Sequence, residues 1–193
     1  MLSTRNILIA GEEAVRYTKS KVRWSATHPA DIAFSGLTSP FTVSTARDYE
    51  DELLEKIIKK YGKANITCLV SIAIRAKAAE EHGVGNCGMN AAVAFMWLYL
   101  NRPSMRPLDY CDRPSGDHGF VVIGSPLIPR LGNHEKWWEQ GVVCDPFWNF
   151  TFTGKVALRH RYRITNVRSI CRVETALARG DGIVRSLMKL KTP

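Results

Sequence analysis

The hydrophobic patterning predicts an α+β domain, with helices in the first hundred residues and an antiparallel sheet after them. Three observations carry this. Between Ala46 and Tyr61, apolar Leu53, Leu54, Ile57, Ile58 and Tyr61 recur at three-to-four spacing among charged residues, and Gly62 ends the run, which is the pattern of an amphipathic helix. From Met89 to Tyr99 the chain is apolar on every side, so this helix is expected at the centre of the core. Two short apolar segments, 118–124 and 141–145, have strand length and are bounded by glycine or proline.

The remaining elements follow in order. Residues 24–44 are rich in Pro, Ser, Thr and Gly and read as loop; Asn65 to Glu81 reads as a helix ended by Gly83. Arg102 to Ser115 holds three prolines and two aspartates and is expected to be a loop, as is 125–140. Leu158 to Ile164 alternates, with Arg159, Arg161 and Arg163 on one face, as in a half-exposed strand. Glu174 to Leu190 reads as a short helix broken near Gly180 and Gly182. A chain of 193 residues that is 45% hydrophobic can bury one sizeable core, so residues 1–193 are expected to form a single domain, loop-rich over the first 45 or so residues.

Net charge is +9, and it is unevenly spread: residues 155–193 hold ten Lys or Arg against Glu174 and Asp181, a net of +8, leaving +1 for the rest. This predicts that Arg159, Arg161 and Arg163 form a docking surface for an acidic protein or an anionic membrane. Five well-separated cysteines with no C-x-x-C pair read as thiols of a reduced compartment. No stretch of ~18 apolar residues spans a bilayer. The short apolar patch at 1–9, followed by Glu12 and Glu13, does not resemble a cleaved signal peptide.

The chemistry-bearing residues lie in three blocks. In Gly85-Asn86-Cys87-Gly88, Cys87 stands at the start of the central helix, where the helix dipole favours a thiolate. His118 heads the segment Gly119-Phe120-Val121-Val122-Ile123-Gly124, and Asp145 ends Val142-Val143-Cys144. Nucleophile, base and orienting carboxylate in that order form a thiol triad. Asp117 is a rival carboxylate, but neighbours on a strand point to opposite faces, so Asp145 is preferred. The backbone N–H of Cys87 and the Asn86 side chain are candidate oxyanion donors; the chain's one Gln, Gln140, lies downstream of the nucleophile. Cys111 and Cys144 have neither a helix cap nor a base and read as core residues, and His82 as a solvated loop residue. Gly83, Gly85 and Gly88 match G-x-G-x-x-G, yet a polar helical end and not a strand precedes them, which excludes a dinucleotide site.

These three blocks resemble those of papain-like cysteine-hydrolase domains in bacterial toxins and secreted effectors, a group that includes cysteine proteases, glutamine deamidases and transglutaminase-like enzymes. The resemblance covers residues 83–150 well. It implies a papain-like/transglutaminase-like fold with the nucleophile on a central helix packed on an antiparallel sheet. It also implies catalytic roles for Cys87, His118 and Asp145, with no cofactor and no metal. The expected activity is hydrolysis of amides in a protein of a target cell, by deamidation of Gln or Asn side chains or, alternatively, by peptide cleavage. The chain is then expected to be made in a bacterial cytoplasm, exported without a cleaved signal and active in a target-cell cytosol. A different class stays open: a basic nucleic-acid-binding module in which Cys87 is only a core residue.

Overall fold

The computed structural model describes residues 3–25, 39–113, 118–126, 141–153, 167–175 and 178–189. In chain order the elements are α1 (Thr4–Lys21), β1 (Trp24–Ser25), α2 (Ser39–Tyr61), α3 (Cys68–His82), β2 (Val84–Gly85), α4 (Cys87–Asn101), β3 (Leu108–Arg113), β4 (His118–Ile123), β5 (Val142–Asp145), β6 (Phe150–Thr153), β7 (Arg168–Val173) and α5 (Asp181–Lys189). Strands β3 to β7 form an antiparallel sheet in the order β6-β5-β4-β3-β7; β1 and β2 make a two-residue parallel bridge. The architecture is therefore α+β, with five α-helices and a five-stranded antiparallel sheet among the described residues.

Helix α4 is the centre of the molecule. It packs on α1, α3, β3 and β4, and ten of its fifteen residues are buried, as an all-round apolar helix requires. Its start is set locally. Gly83 adopts the left-handed conformation that closes α3 (φ 65°), Val84 and Gly85 bridge to β1, and Asn86 caps α4 by accepting the Met89 N–H on Oδ1 at 3.0 Å. Asn90, one turn on, is buried and donates Nδ2 to the carbonyls of Asn86 (2.9 Å) and Gly85 (3.4 Å), which ties the approaching strand to the helix.

Several expectations are corrected. Residues 4–21 form a helix that the sequence patterning did not reveal: Ile7, Ala10, Gly11, Ala14, Val15 and Thr18 make a narrow buried stripe, half of it Ala or Gly, and the Thr18 hydroxyl is satisfied by the Ala14 carbonyl at 2.9 Å. Helix α2 starts at Ser39, earlier than Ala46. The expected loop 102–115 contains β3, in which Asp109 is fully buried yet paired with Arg172 (2.8 Å) and hydrogen-bonded by the Ser169 hydroxyl (2.7 Å), both of β7. A buried acid whose partners lie about sixty residues away leaves no local strand pattern. Among the described residues of the C-terminal end, Asp181–Lys189 is helical, and the helix expected from Glu174 starts later. The strand expected over 158–164 lies outside the described residues.

The cysteines also differ from expectation. Cys68, the first residue of α3, is disulfide-bonded to Cys171 of β7, so five free thiols become three: Cys87, Cys111 and Cys144. The bridge spans a sequence separation of 103 and fastens α3 to the edge strand opposite Tyr110. Closing a loop of that length restricts the unfolded chain strongly. Cys171→Ser is expected to lower the unfolding free energy by about 2–5 kcal/mol. Urea unfolding checks this: a reductant should shift the parent protein by a similar amount and leave the variant unmoved.

Candidate active site

The site forms where the N-terminus of α4 meets the head of β4. The approach is permitted by two glycines. A Cβ on Gly119 would lie 2.9 Å from the Gly88 Cα and 3.3 Å from the Gly88 N, so any side chain there forces strand and helix apart. With both side chains absent, His118 and Cys87, each immediately preceding one of these glycines, are brought together, and the Cys87 thiol hydrogen-bonds the His118 ring.

Behind the ring, His118 Nε2 contacts Asp145 Oδ2 at 2.6 Å. One imidazole thus meets both the thiol and the carboxylate. Asp145 has no exposed surface, and its other oxygen, Oδ1, accepts the backbone N–H groups of Phe147 (3.1 Å) and Trp148 (3.3 Å). Asp-Pro-Phe-Trp is thus a turn organised around its own first side chain. Phe147 also sets its ring edge-on against His118 (5.5 Å between centroids), and Phe120 stacks on the imidazole at 6.1 Å.

This enclosure shapes the electrostatics. Burial disfavours the imidazolium, but the hydrogen bonds to Asp145 and Cys87 and the charges of both groups outweigh it, raising the His118 pKa from 6.5 to about 9. By contrast, burial pushes the Cys111 and Cys144 thiols up, and both side chains are fully enclosed. Of the three free thiols, Cys111 and Cys144 are buried, whereas Cys87 is part-exposed and lines a cavity of about 520 Å³.

A supporting network was not foreseen from the sequence. The Tyr110 hydroxyl donates to the Gly88 carbonyl at 3.1 Å and receives Arg75 Nη1 at 3.4 Å, and Arg75 Nε is held by Glu50 at 3.1 Å. Glu50 on α2, Arg75 on α3 and Tyr110 on β3 thus form a chain of contacts ending on the residue after the nucleophile. Tyr110 belongs to the strand that the prolines disguise; reading 108–113 as strand is the signal that would have found it. His82 is likewise not a solvated loop residue: it ends α3 and meets the Tyr49 ring edge-on at 5.2 Å.

Both candidate oxyanion donors line the cavity. Asn86 commits Oδ1 to its helix cap, which leaves Nδ2 as the half of that amide able to meet a substrate oxygen, whereas Asn90 spends its Nδ2 on backbone carbonyls. Asp117, the rival carboxylate, lies outside the described residues, as do Gln140 and the proposed docking residues Arg159, Arg161 and Arg163. Other basic residues of the C-terminal segment are engaged within the molecule: Arg168 pairs with Asp112, Arg172 with Asp109 and Glu174, and Arg185 with Asp181. No described helix is long and apolar enough to cross a membrane. A scan against models of known protein families finds no match, and a search of curated proteins finds none either.

Two expectations follow. Gly119→Ala should separate His118 from Cys87 because the obstacle is backbone: reaction of Cys87 with iodoacetamide should slow by roughly tenfold or more, as a displacement on the order of 1 Å does in a positioned site. The comparison is made by mass spectrometry at equal extents of folding. The second concerns pH. The folded-state pKa of His118 lies above 6.5, so its contribution to stability is complete below about pH 6.5 and is lost as pH rises through about 9. NMR titration of the ring should report a value near 9 in the parent, falling toward 6.5 in Asp145→Asn.

Proposed function

We propose that this protein is a thiol hydrolase of the papain-like kind that deamidates Gln or Asn side chains of a target protein, as a bacterial effector or toxin. The observation that supports it is the single ring of His118, hydrogen-bonded on one side by a cavity-facing thiol at a helix start and on the other by a buried carboxylate.

The steps assign one task to each group. Sγ of Cys87, as thiolate, attacks the carboxamide carbon, and the oxyanion that develops meets the N–H groups at the start of α4 and Asn86 Nδ2. Protonated His118 gives its proton to the departing nitrogen; the C–N bond breaks, ammonia leaves and a thioester remains. A water molecule then loses a proton to His118 while its oxygen attacks the thioester, and cleavage of the C–S bond frees the carboxylate product and restores Cys87. The sum is amide plus water giving carboxylic acid plus ammonia, which in water are carboxylate and ammonium. Asp145 holds the ring in one tautomer and balances its charge.

Peptide cleavage shares the first step. A cavity of about 520 Å³ is of small-molecule scale and accommodates a carboxamide side chain with its flanking atoms. The basic surface assigned to Arg159, Arg161 and Arg163 is proposed to dock the acidic target or an anionic membrane.

Cys87→Ala should reduce amide hydrolysis by several orders of magnitude while the far-UV circular dichroism stays that of the parent. Incubation with a lysate of candidate target cells, read by ammonia release and by the mass change of amide-to-acid conversion in peptides, checks both activity and reaction type. Cleaved peptides without converted side chains would move the assignment to a peptidase. Full activity of Cys87→Ala would end the thiol mechanism. The parent's rate should fall above about pH 9, as His118 loses its proton.

A further inference from the structure

The cavity in front of Cys87 is lined by charges of both signs, and the ion pairs decide which of them are available. Glu50 is held by Arg75 at 3.1 Å, and Asp112 receives both Nε and Nη2 of Arg168 at 2.9 Å each. Once these pairs are set aside, Arg47 and Arg113 face the exposed Asp51, so the cavity keeps a positive excess.

Arg113 is the better placed of the two arginines. It ends β3 directly opposite His118 in the antiparallel register, so its position relative to the ring is fixed by the sheet. Its Nε is buried and has no hydrogen-bond partner among the described residues. A buried guanidinium N–H is rarely left without an acceptor; Nε is itself closed to solvent, but Arg113 lines the cavity and its planar guanidinium matches a carboxylate.

We propose that Arg113 is a specificity-determining residue that binds a carboxylate on the substrate, so that the amide attacked by Cys87 is one with an acidic group beside it. The inference rests on the thiol-hydrolase reading of Cys87. The carboxylate can belong to a neighbouring Asp or Glu side chain or to a chain terminus, and both present the same two oxygens. Arg47, more exposed and on α2, adds attraction at the cavity mouth.

Two reagents of nearly equal size test it, iodoacetate and iodoacetamide, each forming an S–C bond at Cys87 with loss of iodide. The ratio of their rates at Cys87 should fall by roughly tenfold in Arg113→Gln, the scale of one charge-assisted hydrogen bond, and recover in part in Arg113→Lys. A ratio unchanged in Arg113→Gln overturns the proposal.

A second measurement uses the parent protein alone, so it decides the matter even where a variant does not fold. Acetyl-glutamine, with a free carboxylate, and acetyl-Gln-Glu amide, with a side-chain carboxylate, should each be compared with neutral acetyl-glutamine amide as protectants of Cys87 against iodoacetamide. Stronger protection by one of the acids supports the proposal and identifies the source of the carboxylate; equal protection by all three overturns it. The reading of Cys87 as nucleophile fails in a different way: neither reagent then labels Cys87 in preference to the other free thiols, and this inference falls with it.

Discussion

The contact between Gly88 and Gly119 is the constraint on which the site depends. Helix axes and strands ordinarily stand off by the width of their side chains, yet here backbone meets backbone, with a hypothetical Cβ only 2.9 Å from the opposing Cα. Everything needed to make that approach regular is found around it. Asn86 fixes where α4 begins, Asn90 ties the incoming strand to the helix, and Tyr110 anchors the Gly88 carbonyl from the sheet side. The side chains of Cys87 and His118 are positioned as the immediate neighbours of the two glycines. Their meeting is a property of the main chain before it is a property of the side chains.

Much of this was legible in the sequence because the determinants are local. A glycine-flanked cysteine before an apolar run, a histidine at the head of an apolar segment and an aspartate before proline each announce their element within a few residues. The Asp145 turn is the clearest case, since the carboxylate binds N–H groups only two and three residues ahead. What was not legible is non-local. Strand β3 hides a buried Asp109 that is tolerable only because Arg172 and Ser169 arrive from a strand about sixty residues on. The disulfide joins cysteines too far apart for any spacing rule, and the buried stripe of α1 is half Ala or Gly.

Charge shows the same limit. Summed along the chain, residues 155–193 look like a free basic block. In space, Arg168 and Arg172 close onto Asp112 and Asp109 of β3, and Arg185 onto Asp181 one turn before it. A run of like charge in sequence is therefore no measure of field at the surface until its partners are known. The cavity makes the complementary point: its lining contains three carboxylates and three arginines, and which of them can act on a ligand depends on the pairs already formed.

The enclosure of Asp145 has a consequence for how charge can move. Its two oxygens are held by one imidazole and two backbone N–H groups, no solvent reaches it, and two phenylalanine rings confine the imidazole it contacts. In water, a ring that gains or loses a proton obliges the surrounding dipoles to rotate, and that rearrangement is a large part of the barrier to proton transfer. Here the dipoles on the Asp145 side belong to the main chain of a turn and are already aligned toward the carboxylate. The environment of His118 is thus close to the same before and after its charge changes, which is the condition for low reorganisation energy.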